Sequence, residues 1–448
     1  MTTLATRPAN TFGADYAALQ KEAPRNGAAW LAPLRQRAWE RFSELGLPAD
    51  RRGNERWKYT NLQPLAKVAF RLAPRPAHAP ATSEVKARAP WDDAWTTLVF
   101  VDGHYSPPLS RTTEQGITAS SLASAASKDR TLVEKHLTRI AAVDEDHFTL
   151  LNTAFMSDGA FIYLPDNASP AQPIHLLFIS TASDAPAATH PRSLLIAGRN
   201  SKATVIESYI SLGESDQHLS DPVLEVLLGE GAEVTHYRVL MENENSFHTG
   251  NTRVYQQKDS KFSSVSFATG PAVGRNDVHA LLDAEGVECN LTGLYMTTNK
   301  QHMDNNISVT HAKPHGTSHQ YFKGILAGQS HAVFSGIVVV KPGAMKTYAD
   351  QKDMNLLLSR GAEVDTKPSL EILADDVKCY HGATAGHVDL DTLYYMRSRG
   401  IALETATQML VRGFAAEIVE KVQPPALARY VEDATERLLP GLKFEAHR

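Results

Sequence analysis

The 448-residue chain sets 45 Lys plus Arg against 50 Asp plus Glu, a formal charge of −5, so it has neither the basic footprint of a nucleic-acid binder nor an acidic disordered tail. With 42% hydrophobic and 21% charged residues it has an ordinary globular composition, and its length calls for two or three domains. Its two cysteines can neither staple a large secreted fold nor build a four-thiolate metal site.

The opening MTTLATRPANTFGADYAAL has no apolar h-region, and no apolar run of about 18 residues occurs anywhere. The expectation is a cytoplasmic protein without a membrane span. All five tryptophans (Trp30, Trp39, Trp57, Trp91, Trp95) stand at or before residue 95. In the same region Leu31, Leu34, Ala38, Phe42 and Leu45 recur at steps of three and four, one face of an amphipathic helix that Gly46 and Pro48 end. Residues 73–90, APRPAHAPATSEVKARAP, read as an extended linker or exposed loop. TTLVFVDG reads as a strand and turn, and residues 131–156 read as helix.

Between about residues 160 and 378 the texture changes to short strand-like runs punctuated by Gly, Asn and Asp. LLIAGRNSKATVI, VLLGEGAEVTHY, LLDAEGVECNLT, GILAGQSHAVFSG and LLLSRGAEVDTK share one plan: apolar run, glycine turn, polar residues, strand. Their turn glycines are Gly198, Gly231, Gly286, Gly328 and Gly361. A solenoid makes such an echo, because each coil buries its inward side chains against its neighbours. An antiparallel sandwich predicts similar runs, and periodicity leaves both open.

The last sixty or so residues return to helix. Asp389 or Asp391 caps a short helix ending at Arg397–Arg399, with Gly400 as its left-handed stop. Ala406, Leu410, Phe414, Ile418 and Val422 form an i+4 ladder, with Met409 beside it, ended by Pro424 and Pro425. A third helix reaches about Leu439. Three short helices must cover the β region or present a face to a partner.

Nucleotide chemistry is poorly supported. Gly229-Glu-Gly231 starts like a dinucleotide fingerprint, but position 234 is Val, and GxxxxGK[ST], GxSxG and HExxH are all missing. His302, His311, His315 and His319 are close in sequence, with His331 beyond. Pro314 and Gly316 break any helix there, and in a strand residues four apart lie about 13 Å apart, too far for one ion. Asp304, Asp350 and Asp353 offer carboxylates to a β-helix carbohydrate-active enzyme, but at no recognisable spacing. The sharper signal is Cys379-Tyr-His381: side chains two apart on an extended segment share a side, and thiolate and imidazole are both good iron ligands. Lys378 lowers the Cys379 thiol pKa if it folds back. Cys289 reads as a core residue.

ADDVKCYHGATAGHVDLDTLYYMRSRGIALETATQMLVRGFAAEIVEKV (Ala374 to Val422), the preceding LLLSRGAEVDTKPSLEI, LNTAFMSDGAFIYLP (Leu151 to Pro165) and Glu55-Arg-Trp57-Lys58-Tyr59-Thr60 together resemble the SufB/SufD family of iron–sulfur cluster assembly proteins. The resemblance covers most of the chain. SufB-like chains carry a His-Glu-Ala element where this one reads Cys379-Tyr-His381-Gly-Ala-Thr384, and Cys289 lies off the register of their scaffold cysteine. Both points favour the SufD side, with a SufB-like scaffold paralogue as the alternative.

The resemblance implies a mainly β fold: a right-handed parallel β-helix core at 156–385, an N-terminal helical domain at 1–155 holding the 73–90 linker, and a C-terminal helical domain at 386–448. It implies a non-catalytic subunit that pairs with SufB and holds SufC, an ABC ATPase, through its C-terminal helices. Tyr394, Arg397, Arg399, Gly400, Met409 and Phe414 are the expected docking residues. One chain normally needs four thiolates to hold a cluster, so two cysteines cannot suffice. The resemblance then implies that iron or a transient cluster is shared with SufB at His381, with Cys379 secondary, and that reduced flavin belongs to the complex. Whether the chain forms a homodimer in isolation stays open.

Overall fold

The computed structural model describes residues 9–22, 29–49, 54–113, 115–140, 146–442 and 444. From Ala160 to His387 the chain winds as a parallel β-helix of about eight turns. Successive strands alternate between a twelve-stranded and a ten-stranded sheet. Val273–Leu282 lies in parallel between Phe247–Gln256 and His302–His311 in the first; Glu288–Thr297 lies between Lys261–Thr269 and Thr317–Leu326 in the second. Register is kept from coil to coil, so every second side chain enters the lumen. Phe262, Val278, Cys289, Leu291, Ile307, Phe322 and Phe334 fill it.

Each coil has two corners, and the glycine echo in the sequence mixed them. Gly231 and Gly286 belong to the corner leading from the twelve-stranded to the ten-stranded sheet, with φ near +70°. There the neighbouring coils use Asn200, Asp259, His315, Lys346 and Asp376, all at positive φ. Gly328 lies at the opposite corner, near Asn299 of the coil before. Corner backbones interlock: Gly231 N–H donates to Lys258 C=O at 2.8 Å, and Lys346 N–H to Asp376 C=O at 2.8 Å. A Cβ on Gly286 would sit 2.1 Å from the Asp259 carboxylate, so this turn needs glycine for space as well as for φ.

The two ends differ. At the N-terminal end, antiparallel strands stop both ladders: His104–Tyr105 turns back on Thr96–Val101, and Thr118–Ser121 runs antiparallel to Ala160–Leu164. Thr96–Val101 pairs with Ile174–Ser180, so the ten-stranded sheet starts inside the segment assigned to the helical domain. The 73–90 stretch is not all extended. Thr82–Arg88 is a helix, and Val85 with Ala89, one turn apart, packs on Val99, Leu177 and Ile179. Its prolines flank the helix instead of interrupting it. The 131–156 stretch splits into helices Arg130–His136 and His147–Phe155, and residues 141–145 between them lie outside the described residues.

Helix Ala32–Leu45 buries Ala38 and Phe42, and Gly46 closes it at φ +67°. The segment 54–62 lies across the outer face of the twelve-stranded sheet. Trp57 is 3% exposed, with the Arg275 guanidinium 4.0 Å from its ring centroid and Phe148 at 5.3 Å. Arg56 reaches the Asp277 carboxylate at 2.6 Å; Thr60 O–H donates to Asp304 at 2.5 Å. Lys58 stays exposed and Tyr59 half-buried, so Trp57 and Thr60 are the anchors.

The C-terminal helices Leu390–Ser398, Leu403–Val419 and Pro425–Leu438 follow the expected plan. Asp389 accepts the N–H groups of Asp391 and Thr392, and Gly400 sits at φ +89°. Val411, Ala415 and Ile418 pack over Val239, Phe267, Leu294 and Ile325 on the outer face of the ten-stranded sheet. Lys323, 1% exposed, donates to Phe414 C=O at 3.0 Å and pairs with Glu417 at 2.9 Å, pinning the middle helix to the sheet.

Trp57→Ala removes a buried aromatic and leaves the Arg275 guanidinium uncovered. Denaturant unfolding should show a loss of about 3–5 kcal/mol. Unchanged stability with lost cluster assembly would show that Trp57 serves docking instead.

Candidate functional site

At the C-terminal end no strand among the described residues pairs beyond the last coil. Its two strands, Glu363–Ile372 and Lys378–His387, are the edges of the two sheets, and neither contains a buried residue. Each pairs on one side only, with His331–Val340 and with Tyr348–Leu357. Ile372, Leu373 and Tyr380 stand there about half exposed. Ten-residue edges with apolar side chains are uncommon on a monomer, because unpaired N–H and C=O groups recruit another strand.

The sequence placed Cys379 and His381 on one side of an extended segment, and the register bears this out. Cys379 stands beside Ala349, and His381 beside Gln351; Ala349 and Gln351 are fully buried. Both candidates therefore belong to the inward row, at the rung where the lumen opens. His381 is exposed and has no hydrogen bond among the described residues. Cys379 is half-buried beside Val338, Val340 and Ala349. Burial raises its thiol pKa, countered by a hydrogen bond from the Ala349 backbone. The expected lowering by Lys378 does not occur, since that side chain alternates to the outer face. Cys289 is fully buried in the lumen, and burial pushes its thiol up to about 12.

One rung deeper lies a polar group that the sequence reading missed. Gln351 Nε2 donates to Gln320 Oε1 at 2.8 Å. Tyr295 O–H donates to Asp353 at 3.1 Å and to Asn355 Oδ1 at 2.5 Å, and Asn355 Nδ2 donates to Asp353 at 2.7 Å. No cation faces Asp353 among these contacts, and burial pushes its carboxyl up to about 6. Gln320, Gln351, Asp353 and Asn355 occupy inward positions, and the row His236, Ser264, Leu291, Gln320, Gln351 and His381 shows that polar residues recur there from coil to coil.

The other candidates disperse. Asp304 lies under Arg275 on the outer face of the twelve-stranded sheet, Asp350 on the outer face of the ten-stranded sheet, and Asp353 in the lumen, so no carboxylate pair forms among them. His302 and His331 begin adjacent strands, 4.9 Å apart between ring centroids, partnered by Thr60 and Asp365. His311 bonds Ser318, His315 takes a left-handed corner, and the His319 ring lies tilted against Tyr348, 5.4 Å between centroids. Of the docking candidates, Tyr394, Arg397, Arg399, Gly400 and Met409 are exposed, Tyr394 at 75%. Phe414 is half-buried, its ring 4.3 Å from Lys323 Nζ, and faces the sheet.

Residues 178–414 match the SUF system FeS cluster assembly SufBD core domain, and residues 8–176 match the SufBD protein N-terminal region. The chain belongs to the SufBD family of iron–sulfur cluster assembly proteins.

Within that family it is SufD-like. It is 31% identical to the iron–sulfur cluster assembly protein SufD of Escherichia coli, covering 92% of this chain and 93% of that one. It is 27% identical to SufD of Bacillus subtilis over 91% and 94%. It is 33% identical to a SufBD family protein of Synechocystis, over 88% and 87%. Among the described residues no helix is long and apolar enough to cross a membrane.

Two predictions follow from the burial of these groups. A maleimide at pH 8 should label Cys379 in the native chain and reach Cys289 only on unfolding, which peptide mass spectrometry reads directly. For Asp353, the folded pKa near 6 lies above the unfolded value of about 3.9. The folded chain thus holds this proton more tightly, and the associated stability is full below about pH 4 and lost as pH rises through 6. Asp353→Asn, neutral throughout and able to keep the bonds to Tyr295 and Asn355, should be near neutral at pH 4. At pH 8 it should be up to about 3 kcal/mol more stable than the parent, in parallel denaturant titrations.

Proposed function

We propose that the chain is a non-catalytic subunit of a SufB–SufC–SufD-type scaffold, adding its open β-helix end to that of a SufB-type partner. The observation that carries this reading is the pair of bare edge strands flanking His381. Strand addition supplies the missing backbone partners, and it brings inward side chains of two lumens face to face. His381 then meets the partner's side chains, and a partner thiolate with this imidazole holds iron or a nascent cluster. Imidazole is neutral and binds iron less tightly than thiolate, which suits a cargo that must leave. Cys379 is secondary, because a thiol held up by burial is mostly protonated at neutral pH.

The exposed face of the C-terminal helices, Tyr394, Arg397, Arg399, Gly400 and Met409, receives a SufC-type ATPase. Leu390, Tyr395 and Leu403, each at least two-fifths exposed, extend it. ATP hydrolysis belongs to that partner, and reduced flavin to the assembled complex. The setting is cytoplasmic.

His381→Ala should fold and bind both partners yet reduce iron in the anaerobically isolated complex by well over tenfold, more than loss of an outer-sphere partner does, with Cys379→Ala doing less. Normal iron loading by His381→Ala would end this assignment. The ATPase face calls for surface substitutions and not truncation, since removing the helices would uncover Phe267, Leu294 and Ile325. Tyr394→Asp with Met409→Asp should abolish ATPase co-purification and leave the thermal unfolding midpoint within a few degrees of the parent.

A further inference from the structure

We infer that Gln351 orients His381: in the assembled complex the imidazole lies over the lumen mouth, gives its ring N–H to the Gln351 side-chain carbonyl, and turns its other nitrogen toward the partner. This rests on His381 being an iron ligand.

Gln351 is fully buried, and its Nε2 is engaged by Gln320. Its Oε1 is buried with no donor. A buried acceptor left unpaired is costly, and a donor reaching it from the open side of the lumen removes that cost. Gln320 Nε2, in the same amide pair, is also buried without a partner, whereas the inward groups further along the strand are satisfied. Tyr295, Asp353 and Asn355 satisfy one another as a closed trio. The amide is also given room: on the facing sheet, a Cβ at Gly336 would come 1.8 Å from Gln351 Nε2.

The donor can be named from the register. On the next rung the inward residue paired with Gln351 is His381. Adjacent rungs lie about 4.8 Å apart, so their inward side chains touch. Cys379 stands over Ala349, which has no polar side-chain atom, so the acceptor serves the histidine alone. A neutral imidazole has one N–H and one lone pair. Fixing the N–H downward selects the tautomer whose free nitrogen points out of the lumen, the arrangement by which metal-bound histidines are usually held.

The test uses the complex of the full chain with its SufB-type and SufC-type partners, titrated anaerobically with ferrous iron. Gln351→Leu and Gln351→Met both remove the acceptor at similar volume. Gln351→Glu keeps an acceptor, and the Gln320 amide can turn to donate to it. Both acceptor-free variants should weaken iron binding about tenfold or more with partner binding intact, and Gln351→Glu should return it to within about threefold of the parent. A packing role would not distinguish Glu from Met in this way. If Leu and Met bind iron like the parent, or if Glu fails as they do, the inference is overturned while the His381 reading stands. If His381→Ala itself binds iron normally, that reading falls and the inference with it.

Discussion

Everything in this molecule depends on where backbone pairing stops. In a parallel β-helix each coil lends its N–H and C=O groups to the coils before and after, so only the ends are incomplete. One end is closed by antiparallel strands within the chain, and the other is left with two exposed edges. A stable chain tolerates such edges when another chain covers them. The same constraint explains the exposure of His381 and Cys379: on the last rung, inward residues that would elsewhere be core lie open at the mouth of the lumen.

The rest of the fold anchors the flanking segments to the coils beneath that rung. Along the outer face of the twelve-stranded sheet, Arg56, Arg253 and Arg275 are matched by Asp146, Asp277 and Asp304 beneath the 54–62 segment. The arginines hold the Asp277 carboxyl well below its usual range against the opposing effect of burial. On the ten-stranded sheet, Lys323 ties the C-terminal helices to a strand two rungs from the opening.

The solenoid was legible because inward alternation and corner glycines recur, and the C-terminal helices because Asp389, Gly400 and Pro424 mark their ends. The glycine echo marks only some of the coils for a physical reason: left-handed corners accept Asn200, Asp259, His315 and Lys346 as well as glycine. The helix in the 73–90 stretch was hidden by its flanking prolines. Cys379 and His381 could be placed on one side from spacing alone. Gln351 could not be singled out without register, and Asp353 could be named only as a carboxylate at no recognisable spacing, since a glutamine or aspartate at period two says nothing until the rung above it is known. Contacts such as Arg56 with Asp277 leave no local trace at all.

The central claim is that the open end is an interface completed by strand addition. Amide hydrogen exchange of the full chain, alone and with a SufB-type partner, tests it most directly. The account predicts that Glu363–Ile372 and Lys378–His387 exchange rapidly in the free chain and slow by about a hundredfold or more in the complex, with strands at the capped end unchanged. Partner binding that leaves these two strands as exchangeable as before, and protects another surface instead, would contradict it.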